Sequence, residues 1–443
     1  MAVDVSMSDP GPRTSILPIL SVNFVGTLGF SIVVPFMVFL VAGWGGNAIV
    51  YGILAATYSA FQLIGAPILG SWSDRVGRRK VLLLSQLGTL LSWCVFLVAF
   101  FLPPDALFSV DNAVFGQFTL TLPLIVLFAA RAADGLTGGN ISVANAYLAD
   151  ITDDEHRTEN FGRMAMSTNA GFILGPALAG LLGASVLGEM LPVIAALLIS
   201  VVASTLILFG LSESRPDILD SKPGLPNACK VFGQETKEAY RLKGCGETSS
   251  SAILRLPFMT RLLTVNFLVM LGFSFFYVSF PTHVATRLDW SVTETGTFFA
   301  VLSFVMMLVQ GPLLTVVSRK TAQSTLVVGG GLILSAGFVC LLSSNMAMIY
   351  LAAGLIALGN GLMWPTFTAV LSKFAGKELQ GAVQGLASSL GAAASIVGLI
   401  GGGLLYNLTG STTFLCAAAI IAAAALIALK CRREERARTE DQH

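Results

Sequence analysis

The stretch GSWSDRVGRRK, residues 70–80, lies between two long apolar segments and carries one carboxylate among four basic side chains. Glycine at positions 70 and 77 permits a tight turn, and the aspartate can pair with a cation or cap a helix. Basic residues after an apolar segment also serve as simple membrane anchors, which is the plainer interpretation of the arginines. The candidate functional residues of this loop are Gly70, Asp74, Arg75, Gly77, Arg78 and Arg79.

The composition around the loop is that of a membrane protein. Charged residues make up 12% of the chain and apolar residues 54%, whereas about a quarter of the residues in soluble proteins are charged. A bilayer core of about 30 Å requires roughly 20 apolar residues per helix. Stretches of that length predict twelve spans, at approximately 15–41, 48–71, 80–102, 120–148, 161–187, 190–211, 260–285, 293–317, 322–343, 346–373, 380–406 and 411–429.

The basic residues are distributed asymmetrically across these spans. When the loops alternate between two sides, all of the 26 Lys and Arg residues except Arg131 and Arg287 fall on the side of the 70–80 loop. The positive-inside rule makes that side cytoplasmic and places both termini there. Arg13 is the only basic residue before the first apolar stretch, and this stretch is too long for a signal-peptide core. We therefore expect a retained first span in a multi-pass protein of the cell (inner) membrane.

A polar stretch divides the chain into two similar parts. The predicted divisions are a six-helix half at 1–211, a cytoplasmic linker at 212–257, a six-helix half at 258–430 and a cytoplasmic tail at 431–443. Three glycines of span 5 recur in span 11 at a constant offset, pairing Gly162, Gly175 and Gly180 with Gly385, Gly398 and Gly403. The predicted fold class is an all-α membrane protein with twelve transmembrane helices in two pseudo-symmetric halves around a midplane cavity.

Several site types lack their required residues. The three histidines are far apart, the six cysteines have no metal-ligand spacing, and no phosphate-binding loop of the Walker type is present. We predict no metal and no cofactor. A net charge of +1 provides no overall field for nucleic acid, so none is expected as a partner.

Span 4 carries an arginine and an aspartate three residues apart, Arg131 and Asp134. Among the 25 Asp and Glu residues, Asp134 is the only one that the predicted boundaries place deep in a span. Charges in a membrane are costly and usually face a cavity or a partner. The pair is a candidate for proton coupling, because burial favours the protonated acid whereas the arginine favours the ionised one. A neutralised pair that only stabilises packing is the alternative.

Asp150, at the cytoplasmic end of span 4, lies in the same layer as Arg75 and Arg78. Charge pairs there can hold the inner side closed, whereas a solvated acidic loop explains the same pattern without a gate. A single exposed pair contributes less than about 1 kcal/mol, so a gate requires a network.

The glycines of span 5 and the polar residues within spans complete the candidate set. Missing side chains permit close helix contact and proline removes one backbone hydrogen bond, which applies to Gly171, Gly175, Pro176 and Gly180. Polar or aromatic side chains in central segments are candidates for the substrate cavity, although each also suits packing: Asn23, Gln62, Asn169, Phe275, Tyr277, Asn360 and Trp364. A mostly apolar cavity with a few amides suits a lipophilic compound.

The 70–80 loop matches the G-x-x-x-D-R-x-G-R-R signature, so the chain resembles the major facilitator superfamily. Arg131 and the Gly175-Pro176 pair resemble motifs of its drug:H+ antiporter branch, although Asp134 stands where that branch has Gln. The stretch from Ala144 to Asp153 and on to Phe161-Gly162 is similar to the tetracycline efflux proteins. Those exporters carry acidic residues in spans 1 and 3, where this chain has Gly26 and Ser92.

The resemblance implies a secondary active transporter that exports a lipophilic or amphiphilic organic compound, drug-like or tetracycline-like, in exchange for protons. Alternating access of two similar halves is the expected mechanism. Uptake or facilitated diffusion of a small metabolite by the same fold is the alternative. An enzyme or a receptor is disfavoured, because the spans hold no convergent catalytic set and the linker and tail are short. Expected partners are a small-molecule substrate, protons and the lipid bilayer, with the protein a monomer.

Overall fold

The structure is a computed structural model that describes residues 15–33, 35–138, 140–152, 157–214, 253–256 and 258–440, with the backbone alone at 74, 140–141, 157–159, 375–382 and 431–440. Most of the predicted linker and the side chain of Asp74 therefore lie outside the described residues.

Among its described residues, the N-terminal half contains eight helices and one hairpin. Their bounds are α1 Leu17–Ser31, α2 Met37–Gly43, α3 Ala48–Val76, α4 Arg78–Ala99, β1 Ala106–Asn112, β2 Gly116–Thr121, α5 Leu122–Thr137, α6 Asn140–Asp150, α7 Arg157–Gly183 and α8 Met190–Gly210. In the C-terminal half the helices are α9 Met259–Arg287, α10 Val292–Leu308, α11 Leu314–Val317, α12 Gln323–Cys340, α13 Met346–Thr409 and α14 Thr413–Glu440. A π-helical turn at Val309–Leu313 joins α10 to α11.

The predicted helical membrane architecture is confirmed. Among the described residues, ten helical stretches are long and apolar enough to cross a bilayer. One of them, Val383–Lys430, includes both of the last two predicted spans. The chain turns between these two spans at Gly410, which has a φ of 62°. The shorter apolar helix α1, Leu17–Ser31, corresponds to the first span.

The structure differs from the predicted boundaries in several places. Span 1 is interrupted after Ser31 and continues as α2, and spans 10 and 11 form one continuous helix, α13. Residues 103–119, predicted as a loop, contain an antiparallel hairpin. Alternating apolar residues favour its strands. The turn is stabilised because Asn112 Oδ1 accepts hydrogen bonds from the backbone N–H groups of Val114 and Phe115, at 3.1 and 2.6 Å.

Buried apolar residues form three clusters that follow the two halves. One cluster consists of residues from 253 to 428 and another of residues from 19 to 211. The third surrounds Phe36, Leu54 and Phe96 in the N-terminal half and also includes Val278 and Val292 of the C-terminal half. The third cluster therefore joins the halves.

We call the end of the helices next to the 70–80 loop the charged end and the opposite one the hairpin end. Close backbone contacts between glycines of one half and the other half lie toward the hairpin end. A Cβ on Gly180 of α7 would lie 2.8 Å from the backbone of Gly296 in α10, and Gly403 of α13 lies against Ala48 of α3. Absent side chains let these backbones touch. The molecule is consequently closed at the hairpin end.

Candidate functional site

The loop between α3 and α4 is built around a glycine with a positive φ. Gly77 has a φ of 112°, which side chains other than glycine rarely adopt, and a Cβ on it would lie 2.6 Å from Glu213 Oε2. The Glu213 carboxylate accepts hydrogen bonds from the backbone N–H groups of Arg78 and Arg79, at 2.7 and 3.3 Å. Glu213 thus caps the positive end of the α4 dipole.

Arg78 forms the centre of this cluster, with a side chain only 1% exposed. Its Nε donates to Asp150 Oδ2 at 3.0 Å, and its Nη1 donates to Ser73 Oγ at 2.6 Å. Ser73 donates to the carbonyl of Gly70, and Ser214 donates to the same Asp150 oxygen at 3.1 Å. These contacts connect α3, α4 and α6 of the N-terminal half with residues 213 and 214, at the start of the predicted linker.

The other predicted loop residues are placed differently. Arg75 is exposed. Arg79 donates to the backbone carbonyl of Leu208, near the end of α8. Sequence reasoning missed Glu213, although an acidic residue directly after span 6, on the basic side of the protein, is a signal for such a partner. A gate at this cluster stays a prediction, since Arg78 and Asp150 belong to one half.

The pair in span 4 is buried and closely matched. Arg131 Nη1 donates to Asp134 Oδ2 at 3.0 Å, and the two side chains are 4% and 7% exposed. The Arg131 guanidinium lies 4.6 Å from the ring centroid of Tyr58 and 5.5 Å from that of Phe30. The cation is therefore held between a carboxylate and two aromatic faces.

A cavity of about 200 Å³ lies beside this pair and is lined by residues of the N-terminal half alone. The predicted residues Asn23, Gln62 and Asp134 line it together, and Gly26 contributes wall without a side chain. Residues that the sequence analysis did not select also line it, among them Tyr58, Gln86, Thr89 and Trp93. For Gln86 a signal was present, namely an amide inside an otherwise apolar span.

The remaining cavity candidates lie outside this cavity. Asn169 is exposed on α7. Phe275 packs near Gly401 of α13, and Tyr277 lies against Phe273. In α13, Asn360 contacts Met306 and Trp364 stacks on Phe367, with ring centroids 6.0 Å apart. Their part in substrate binding stays a prediction.

The glycines of α7 serve two different contacts. Gly171 packs against Thr27 of α1, and Gly175 packs against Ser31 of the same helix. Gly180, beyond Pro176, faces Gly296 of the other half. The first two therefore fix packing within the N-terminal half, and the third allows contact between the halves.

The structure has spanning helices in two halves, a glycine contact between the halves and a cavity lined by one half. This arrangement is that of a membrane transporter. The family model described as the Major Facilitator Superfamily matches residues 19–399 and 262–443. The chain belongs to the major facilitator superfamily, as the sequence predicted, and is a multi-pass membrane protein.

Named relatives refine this assignment. The chain is 28% identical to the tetracycline resistance protein, class E, of Escherichia coli over 402 residues, which covers 90% of this chain and 89% of that protein. It is 25% identical to multidrug resistance protein 2 of Bacillus subtilis (strain 168), covering 91% and 92%. The antiporter and efflux class predicted from the sequence is consistent with these names.

Solved structures show the same fold. The human organic anion transporter MFSD10 (TETRAN) superimposes with a TM-score of 0.64 at 19% identity, covering 95% of this chain and 100% of that one. The POT family transporter PepTSo gives a TM-score of 0.68 at 12% identity, covering 96% and 99%.

Proposed function

We propose that this protein is a proton-coupled exporter of a lipophilic or amphiphilic organic compound that works by alternating access. One observation carries the proposal, namely the buried Arg131–Asp134 ion pair beside a largely apolar cavity. The names of its relatives, tetracycline and multidrug resistance proteins, agree with export of such compounds. The proposal includes a monomer in the inner membrane that acts as a transporter and not as an enzyme.

The ion pair supplies the coupling step. When Asp134 takes up a proton, the carboxylate loses the charge that attracts Arg131, and the 3.0 Å hydrogen bond weakens. The guanidinium is then free to change position between Tyr58, Phe30 and the cavity. Breaking a buried ion pair by removing the charge of one partner costs about 3–5 kcal/mol. Protonation of Asp134 and movement of Arg131 are therefore energetically coupled.

The contacts between halves supply the conformational step. The molecule is closed at the hairpin end, and the positive-inside rule places the charged end in the cytoplasm. In this state the cavity would be loaded from the cytoplasm. Export then requires the Gly180–Gly296 contact to open while the charged end closes, and the Arg78–Asp150 cluster helps to keep the N-terminal half rigid during this movement.

Transport in proteoliposomes tests the proposal. A pH gradient is applied to vesicles that contain tetracycline or ethidium, and substrate movement and proton flux are both recorded. We expect substrate-driven proton flux in the parent protein and its loss in Asp134→Asn. Asp111→Asn is the matched control, because Asp111 is exposed on the hairpin. Unchanged proton flux in Asp134→Asn contradicts the coupling role. Substrate movement in the direction opposite to export favours the uptake alternative.

A further inference from the structure

Three amide side chains line the cavity from three different helices, Asn23 in α1, Gln62 in α3 and Gln86 in α4. Each one uses its NH₂ group within the protein. Asn23 Nδ2 donates to Thr168 Oγ1 at 2.7 Å and to the Met164 carbonyl at 3.3 Å.

The other two amides repeat this pattern. Gln62 Nε2 donates to Tyr58 Oη and to the Gly138 carbonyl, both at 3.1 Å, and Gln86 Nε2 donates to Ser200 Oγ at 2.7 Å. In every case the donor side of the amide faces protein.

These bonds determine which way two of the amides point. A backbone carbonyl can only accept a hydrogen bond, so the amide nitrogens of Asn23 and Gln62 must face Met164 and Gly138. Their oxygens accept no hydrogen bond from the described residues. The oxygen of Gln86, a residue only 2% exposed, likewise has no partner among the described residues. The cavity wall therefore carries the amides of Asn23 and Gln62 with oxygens whose accepting capacity is unused, whereas the Gln86 oxygen has almost no accessible surface.

The charge of the cavity is balanced. Asp134 is the acidic residue that lines it, and this carboxylate is already paired with Arg131 at 3.0 Å. An organic cation would have to compete with that arginine for the carboxylate. A neutral N–H or O–H group meets the unused oxygens without such competition, because it needs no counter-charge.

The walls and the size define the rest of the ligand. Aromatic side chains from four helices, Phe30, Tyr58, Trp93 and Phe172, favour a flat apolar group. The volume of about 200 Å³ is below the roughly 300–1,000 Å³ of sites that enclose a drug-sized ligand. It suits one ring system of a larger molecule.

We propose that this cavity is a substrate subsite that binds an uncharged, flat apolar group carrying N–H or O–H donors, with Asn23 and Gln62 as the acceptors. This inference rests on the proposed function, since it names the class of compound that the exporter binds. Compounds whose donors are blocked should bind more weakly, because burial of an amide oxygen without a partner is then not compensated.

Equilibrium binding to the purified protein in nanodiscs tests the subsite without any proton gradient. Isothermal titration compares 2,7-dihydroxynaphthalene with its dimethyl ether, which keeps the ring and loses both donors. We expect the diol to bind at least about tenfold more tightly, which corresponds to about 1.4 kcal/mol. An aminomethyl naphthalene cation should not exceed the diol in affinity.

Two variants assign the preference to the amides. Gln62→Met and Asn23→Leu keep the side-chain size and remove the accessible oxygen, so each should reduce the ratio of the two affinities severalfold. Gln117→Met, on the exposed face of the hairpin, is the matched control and should retain the full ratio. Thermal unfolding of each variant is measured alongside, and one folded cavity variant is sufficient.

The results have distinct meanings. Equal affinity for diol and ether, tighter binding of the cation, an unchanged ratio in the folded Asn23 and Gln62 variants, or no binding of any probe at millimolar concentration each overturns the subsite. A preserved diol preference combined with proton-independent transport leaves the subsite standing and rejects proton coupling instead.

Discussion

Replacing Gly180 by alanine tests how the two halves close at the hairpin end. A Cβ on Gly180 would lie 2.8 Å from both the Cα and the carbonyl carbon of Gly296 in α10. Carbon atoms make favourable contact at about 3.5 Å, so the helices must separate locally by about 0.7 Å. The obstructing atoms belong to the backbone, so no side-chain rotation relieves the overlap.

The size of the effect follows from this geometry. Inserting a methyl group into a close contact costs about 1–3 kcal/mol. The cost falls on the state in which α7 and α10 touch, since opening at the hairpin end moves them apart. We therefore expect Gly180→Ala to shift the equilibrium toward that opening by roughly 5- to 150-fold.

Cysteine accessibility measures the shift. The reporter is Ile49→Cys in a background without the six native cysteines; Ile49 is 2% exposed and lies beside Gly403, away from the altered contact. A membrane-impermeant maleimide is added on the hairpin side, and its reaction rate follows the open fraction.

The matched control for this substitution lies on the same helix. Gly162→Ala also adds one methyl group to α7, but no described residue outside its own helical turn has an atom within 4 Å of the new Cβ. Labelling of the control should equal that of the parent. If Gly180→Ala is labelled no faster than Gly162→Ala, the glycine contact does not limit opening, and the reasoning is refuted.

Three further predictions concern the charged cluster and the hairpin. Asp150→Ala leaves its buried arginine partner without this carboxylate and should destabilise the N-terminal half by about 3–5 kcal/mol, seen as a lower thermal unfolding temperature. Glu213→Ala removes the cap at the start of α4 and should cost about 1 kcal/mol in the same assay. Gly116→Cys with Asn407→Cys should form a disulfide that stops transport until a reductant is added, because a Cβ on Gly116 lies 2.7 Å from the Asn407 amide of the other half.

Two controls serve these predictions. Asp111→Ala, on the exposed hairpin, should leave unfolding unchanged, and equal stability of Asp150→Ala would contradict the buried pair. Ser109→Cys with Thr119→Cys forms a disulfide within the hairpin, where the two hydroxyl oxygens are 3.3 Å apart. This second disulfide should not block transport. Full transport with the 116–407 disulfide in place would contradict the prediction, because it would show that the hairpin and Asn407 do not separate during transport.

The sequence alone predicted the features that depend on local composition. Apolar stretches of span length predicted the helices, because burial of apolar residues in lipid requires only length and hydrophobicity. The pairing of Arg131 with Asp134 followed from their spacing, since residues three apart lie on one face of a helix. The family also followed from one loop, Gly70 to Lys80.

Tertiary structure alone decided the partners that come from distant parts of the chain. Glu213 meets Gly77 and the start of α4 across more than a hundred residues, and Gly180 meets Gly296 across the two halves. The orientation of the Gln62 amide is set by the Gly138 carbonyl on a neighbouring helix segment. Such contacts depend on how helices cross and rotate against each other, which the periodicity of a single helix does not specify.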